Sequence, residues 1–202
     1  MKRHVYLIRH GESVYNVERK FCGWNETDLS SDGYKQVQKM AKLVKTLGIT
    51  RIYSSPLKRA RLTAEAISEN IIFDDDLREL NFGELDGLTF DFVKEKFPDA
   101  AESIYDGKFD CSYPGGESRI DFFKRATGCF EKIINKNKSQ DIIIVAHSCV
   151  IRSILSYALC KSYDLYLRLY IGNVGISKIT IDDNGGSVKM IVNFINRELE
   201  LN

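Results

Sequence analysis

The five residues Ile142-Ile143-Ile144-Val145-Ala146, followed at once by His147-Ser148, decide the fold. The run is apolar at every position and rich in β-branched side chains. A strand without inside–outside alternation is buried on both faces, which is the situation of a central strand in a parallel sheet. Two other runs read as its neighbours, His4–Ile8 (HVYLI) and 51–54 (RIYS). Helical patterns lie between them. Val37, Met40, Ala41, Val44 and Leu47 share one helical face behind a Ser30-Ser31-Asp32 cluster that can cap it, and 57–69 is rich in helix formers. Ile120, Phe123, Thr127, Phe130 and Ile134 make another stripe, and Ile151, Ile154, Leu155 and Ala158 a fourth. Near the end, runs at 175–181 and 187–193 flank Asp183-Asn184-Gly185-Gly186, a hairpin signal. Strands alternating with helices predict an α/β fold with a mostly parallel central sheet. Residues 1–202 read as one domain. The stretch 88–116 is its irregular part, a loop or short-helix lid or insert over the active site, and holds two of the three prolines.

The bulk numbers narrow the function. A chain of 202 residues, 44% apolar, can bury one sizeable core. Its 29 basic and 28 acidic residues nearly cancel, leaving +1. That argues against nucleic acid or a membrane surface as partner. No apolar run approaches the roughly 20 residues of a membrane span, and the N-terminus enters a strand with no signal-peptide layout. Cysteines at 22, 111, 129, 149 and 160 are odd in number, irregularly spaced and without a CxxC pair. They read as free thiols of a cytoplasmic protein rather than a disulfide framework or a zinc site. The three histidines, His4, His10 and His147, lack metal-ligand spacing. The expectation is a site with no metal and no cofactor.

Ligands of open α/β sheets bind beyond the carboxyl ends of the strands. The first strand exits into Arg9-His10-Gly11-Glu12, the second into Ser54-Ser55-Pro56-Leu57-Lys58-Arg59, the third into His147-Ser148. Two histidines and two arginines therefore converge on one crevice, a local cationic site in a nearly neutral protein. A phosphate group is its natural guest, because guanidinium donates to several phosphate oxygens at once. One imidazole can attack phosphorus if its other ring nitrogen is fixed by a hydrogen bond. The second, held protonated by the bound anion, can stabilise charge. Spacing does not assign which is which. Gly11 would let the backbone approach the phosphate. Glu79, in Leu77-Arg78-Glu79-Leu80-Asn81-Phe82-Gly83, is a candidate proton donor for the leaving alcohol. His4 is read as an ordinary strand residue and Cys149 as a packing residue.

These residues resemble a known family. Leu7-Ile8-Arg9-His10-Gly11-Glu12-Ser13, with Asn16, looks like the RHG signature of the histidine phosphatase superfamily. The likeness continues through Phe21-Cys22-Gly23-Trp24, Asp28-Leu29-Ser30, SSPLKRARLTAE (54–65), LRELNFGELDG (77–87), PGGES (114–118) and VAHSCVIR (145–152), in family order. The resemblance implies a three-layer α/β/α sandwich of the phosphoglycerate mutase-like kind. It implies a phosphate pocket of Arg9, His10, Arg59 and His147, with His10 as the phosphorylated nucleophile and Glu79 as proton donor and acceptor. Asn16 and Gly23 match positions lining the phosphate site. Family members often carry Gly after the second histidine; here Ser148 stands there, able to donate to phosphate or narrow the pocket.

The expected substrate is a small-molecule phosphomonoester. The alternatives are a cofactor-dependent phosphoglycerate mutase and a non-catalytic phospho-ligand binding protein. In the mutase branch, an insertion after the Glu-bearing block supplies extra arginines. Here 88–113 holds none, with Lys94, Lys96 and Lys108 against Asp91, Glu95, Asp99, Glu102, Asp106 and Asp110. An acidic cover holds a multiply charged anion poorly, which favours hydrolysis. The same segment carries Phe90, Phe92, Phe97, Tyr105, Phe109 and Tyr113. They read first as packing, and alternatively as a stacking surface for a nucleoside-like monophosphate such as α-ribazole 5'-phosphate. A gap of three between Cys149 and Arg152 is too short for a cysteine-phosphatase loop, and no GxxxxGK[ST] is present.

Overall fold

The computed structural model describes residues 1–105, 109–185 and 188–197. In chain order the elements are β1 (Lys2–Arg9), α1 (Val14–Val17), α2 (Ser31–Lys45), β2 (Ile52–Ser54), α3 (Lys58–Glu65) and β3 (Ile71–Phe73). They continue with α4 (Phe90–Lys96), α5 (Pro98–Tyr105), α6 (Arg119–Lys136), β4 (Ile142–Ala146), α7 (Ser148–Cys160), β5 (Ile176–Asp183) and β6 (Val188–Arg197). The six strands form one sheet in the order β3-β2-β4-β1-β5-β6. The pairs β1–β4, β2–β4 and β2–β3 are parallel, while β1–β5 and β5–β6 are antiparallel. Only β5 therefore runs against the other five.

Period-2 geometry makes β4 serve two cores at once. Ile142, Ile144 and Ala146 join a cluster with Phe122, Phe130, Ile133, Ile151 and Leu155 of α6 and α7. Ile143 and Val145 point the other way, into a cluster with Met40, Ala41 and Val44 of α2 and Ala60 and Ala64 of α3. All five β4 residues are buried, as a strand apolar at every position requires. The result is the expected α/β/α sandwich.

Details differ from the sequence reading. β3 is an edge strand of three residues, too short to carry a periodic signal. The α6 stripe is rotated: Phe122, Ala126, Cys129, Phe130 and Ile133 form its buried face, while Ile120 and Phe123 are half-buried. Leu47 lies past the end of α2 and is exposed. The 88–116 stretch contains α4 and α5, whose Val93 and Ala101 are buried in the larger core. Asp106 and Lys108 of that segment, and Gly186 of the expected hairpin turn, lie outside the described residues.

Helix α2 starts tight against the loop that follows β1. Its N-cap Ser30 accepts from the Gly33 amide at 2.9 Å, and a Cβ on Gly33 would lie 2.0 Å from the Glu12 carbonyl oxygen. Gly33→Ala is expected to lower unfolding free energy in urea denaturation by about 1–3 kcal/mol, the cost of overpacking. The same substitution at Gly128 of α6, where an added Cβ meets nothing within 4 Å, is expected to stabilise by about 0.4–1 kcal/mol.

Candidate active site

Strand register places the two histidines side by side. Arg9 pairs with Ala146 in the parallel β1–β4 ladder, and the His10 amide donates to the Ala146 carbonyl at 3.0 Å. His10 and His147 are therefore the next rung, with ring centroids 5.1 Å apart. On the other side of β4, Ser54 pairs with Val145 and the Ser55 amide donates to the Val145 carbonyl at 3.0 Å. Three strand ends thus bring His10, His147 and Ser55 to one edge, Ser55 one rung behind the two histidines.

The protonation pattern of His10 follows from its partner. Its Nδ1 lies 2.7 Å from the carbonyl oxygen of Gly11. A carbonyl only accepts, so Nδ1 carries the proton and Nε2 keeps its lone pair. Burial, then repulsion from Arg59 and Arg9, pushes the His10 pKa well below its ordinary value, with the Gly11 bond opposing. His147 is fully buried, and its pKa is lowered strongly by burial, then by Arg59, His10, Arg9 and Arg125. Without an anion, burial and the neighbouring guanidinium charges therefore favour the neutral form of both rings.

Arg59 is not the solvated charge that a surface helix usually carries. It is fully buried. Its Nη2 donates to the carbonyls of Gly23 at 2.7 Å and Cys22 at 3.1 Å, and Nη1 to that of Asn25 at 3.3 Å. Arg9 donates Nη1 to the Ile171 carbonyl at 2.7 Å. Among the described residues, Nε of Arg9, Nε of Arg59 and Nδ1 of His147 are buried without a hydrogen-bond partner. Buried donors left unpaired cost free energy, and two guanidinium groups that act on both rings suit an anion that accepts from them.

Glu79 closes the group. It is buried; its Oε1 accepts from the Leu80 amide at 3.0 Å and its Oε2 from the Cys149 amide at 3.2 Å. Burial raises its pKa above the ordinary carboxylate value, against the pull of those amides and of Arg59 and Arg9. The loop that carries it is braced from two sides. Trp24 donates its indole N–H to the Glu79 carbonyl at 2.8 Å. Arg125 donates to the same carbonyl at 3.2 Å and pairs with Glu117 at 2.6 Å.

The remaining expected site residues fall nearby with altered roles. Asn16 uses Oδ1 to accept from the Ser13 amide and from Asn173, each at 3.1 Å. Gly23 gives its amide to Asp86 at 2.8 Å, so its tie to the pocket is the carbonyl that holds Arg59. Gly11 gives its amide to Thr63 at 3.1 Å, and an added Cβ would meet Val37 at 2.5 Å. Its smallness serves packing against α2. Ser148 is half-buried at the start of α7, whose N-terminal amides point toward Glu79. Ser55 and Trp24 stand in quoted motif blocks but carry no assigned role there, and Asn173 and Arg125 are not singled out by the sequence, since such residues in loops or mid-helix carry no periodic signal. Asn173 also donates to the His10 carbonyl at 3.1 Å, beside Val174, which holds a left-handed φ of 52°. A β-branched residue there is a strained one, of the kind that gathers at functional sites.

The buried neutral imidazoles make stability depend on pH with a definite sign. The unfolded chain protonates them near pH 6.5 and the folded chain only far below it. Stability is therefore fully present above pH 6.5 and is lost as pH falls, by up to about 1.4 kcal/mol per pH unit per ring. Urea denaturation of His147→Gln between pH 7.5 and 5.5 is expected to show a shallower loss than the unsubstituted protein.

Comparison with known proteins gives the family and the fold. The family model of the histidine phosphatase superfamily (branch 1) matches residues 5–193. An Escherichia coli protein named "Probable phosphoglycerate mutase GpmB" is 33% identical over 184 residues, covering 89% of this chain and 86% of its own. The solved structure of a mycobacterial glucosyl-3-phosphoglycerate phosphatase superposes with a TM-score of 0.87 at 23% identity, covering 98% of this chain and 100% of that one. An α-ribazole phosphatase from Shigella flexneri gives 0.85 at 21% identity, with 98% and 100% covered. At these identities the two structures speak for the fold. With the family model spanning nearly all of it, this chain belongs to branch 1 of the histidine phosphatase superfamily.

Proposed function

We propose that the protein hydrolyses a small phosphomonoester through a phosphohistidine on His10, without a metal ion in the chemistry. The observation that carries this reading is the pairing of a tautomer-fixed, neutral His10 with the buried unpaired Nε donors of Arg9 and Arg59 and the buried unpaired Nδ1 of His147. The phosphoryl group sits among those donors, joined by the half-buried Ser148 and by Asn16, whose Oδ1 is already engaged. His10 Nε2 attacks phosphorus, forming the N–P bond as the ester P–O bond breaks. The departing alkoxide takes a proton from Glu79, whose pKa burial raises. A water then attacks phosphorus and gives its proton to Glu79. The N–P bond breaks, and phosphate and neutral His10 are regenerated. Arg9 and Arg59 face the charge that builds on the phosphoryl oxygens, in a site where low dielectric makes them effective.

The stretch 88–116 acts in this reading as the cover of the site. Both its ends are tied to site loops: the Phe21 amide donates to the Leu88 carbonyl at 2.8 Å, and the Glu117 amide to the Asn81 carbonyl at 3.1 Å. Its described charges remain mostly acidic, and Lys96 is paired with Glu95. That supports hydrolysis over transfer between phosphoglycerates. The mutase reading is kept as second because of the 33% identity to the Escherichia coli protein named for that activity. For α-ribazole 5'-phosphate, stacking on the cover would fall to few rings. Phe109 is stacked on Tyr163 at 4.0 Å, and Tyr113 is buried edge-on to Phe82. The rings left exposed are Phe90, Phe92 and Tyr105.

Purified protein with EDTA is expected to release phosphate from p-nitrophenyl phosphate and from members of a phosphomonoester panel. His10→Ala is expected to lower kcat by about 10³-fold or more, as loss of a nucleophile does. Glu79→Gln is expected to cost about 10²–10⁴-fold on alkyl phosphates, the range for a general acid, and much less on p-nitrophenyl phosphate, whose leaving group needs no proton. Equal losses on both esters would remove Glu79 from the acid role. Isomerisation of 3-phosphoglycerate in the presence of 2,3-bisphosphoglycerate, with little phosphate released, would establish the mutase reading instead.

A further inference from the structure

Ser55 is fully buried, and its hydroxyl has two neighbours. The Leu57 amide donates to Ser55 Oγ at 3.3 Å, and His147 Nε2 lies 2.8 Å from the same oxygen. A serine hydroxyl has one proton to give and two lone pairs. The Leu57 amide occupies a lone pair. If His147 Nε2–H donated as well, the hydroxyl proton would be left in a buried place with no acceptor among the described residues. It would also leave His147 Nδ1 as a bare lone pair among the groups that face the anion. If Ser55 donates to Nε2 instead, every group is used in one direction: Leu57 N–H to Ser55 Oγ, Ser55 O–H to His147 Nε2, and the proton of the ring on Nδ1. That nitrogen is the buried one without a partner, so it is the donor kept for a phosphoryl oxygen.

We infer that Ser55 is a positioning residue which fixes His147 as the neutral Nδ1–H tautomer, so that the second imidazole binds the phosphoryl group as an oriented, uncharged donor. The consequence for turnover rests on the phosphoryl-transfer reading above; the tautomer itself does not. The device needs the strand register. Ser55 continues β2 beside β4, with its amide fixed to the Val145 carbonyl at 3.0 Å, and its own carbonyl accepts from Ser54 Oγ at 2.9 Å. The hydroxyl is thus held by backbone on both sides of it. His10 is fixed by the parallel device of a backbone carbonyl on Nδ1. The two rings end with opposite outward-facing nitrogens: a lone pair on His10 Nε2 for phosphorus, and a proton on His147 Nδ1 for its oxygen.

The test is ring-nitrogen NMR of uniformly 15N-labelled protein near neutral pH, with Ser55→Ala and Ser55→Thr alongside. The unsubstituted protein is expected to show His147 neutral, with Nδ1 protonated and Nε2 bare. Ser55→Ala is expected to move His147 to a mixture or to Nε2–H, and to lower kcat by about 10- to 100-fold, less than outright loss of a transition-state donor. Ser55→Thr, which keeps the hydroxyl, is expected to restore the tautomer and most of kcat. An Nε2–H or doubly protonated His147 in the unsubstituted protein overturns the inference, and needs no variant to fold. So does an unchanged tautomer in Ser55→Ala. If the tautomer behaves as stated while no phosphomonoester is turned over, the inference about Ser55 stands and the proposed hydrolysis falls.

Discussion

The site depends on the parallel register of three strands. A parallel ladder advances neighbouring strands in step, so residues one place past the last rung emerge together at one edge. Arg9 opposite Ala146 and Ser54 opposite Val145 fix that edge, and His10, His147 and Ser55 follow. A one-residue slip would turn every strand side chain to the opposite core. Slippage is opposed because β4 is committed on both faces: Ile142, Ile144 and Ala146 to α6 and α7, Ile143 and Val145 to α2 and α3. The catalytic geometry is thereby guarded by the whole hydrophobic core and not by local contacts alone.

That core also sets the electrostatics. Burying a guanidinium and two imidazoles is costly unless each polar group is met. The fold meets part of Arg59 with three backbone carbonyls from Cys22, Gly23 and Asn25. It leaves Nε, with its counterparts on Arg9 and His147, unmatched. Burial together with neighbouring positive charge keeps both rings neutral, and burial raises Glu79. One cause, exclusion of water, thus shifts all three groups toward their uncharged forms.

Much of this was legible in the sequence. The unbroken apolar run at 142–146 declared a doubly buried strand, and the rule that ligands sit at strand exits brought together residues remote in the chain. The motif blocks pointed to the family whose model matches residues 5–193. What was not legible had no pattern to show. β3 is three residues long. The motifs place Arg59 at the site, but its anchoring by backbone carbonyls of another loop leaves no periodic trace. Ser55 is one of two serines before a proline, and only the register says which of them reaches His147. A second constraint on Gly11, the close packing of Val37 on α2, had no pattern either, being a contact between distant segments.

The central claim is a covalent phosphoryl group on Nε2 of His10. Its most direct test is rapid mixing of the enzyme with a turned-over phosphomonoester, alkaline quenching and mass mapping of the peptide that carries Arg9-His10-Gly11. The account predicts an acid-labile phosphate on His10, at Nε2 and not at Nδ1, which is held by the Gly11 carbonyl. Turnover with the phosphoryl group found on another residue, or on none while His10→Ala still turns over, would contradict it.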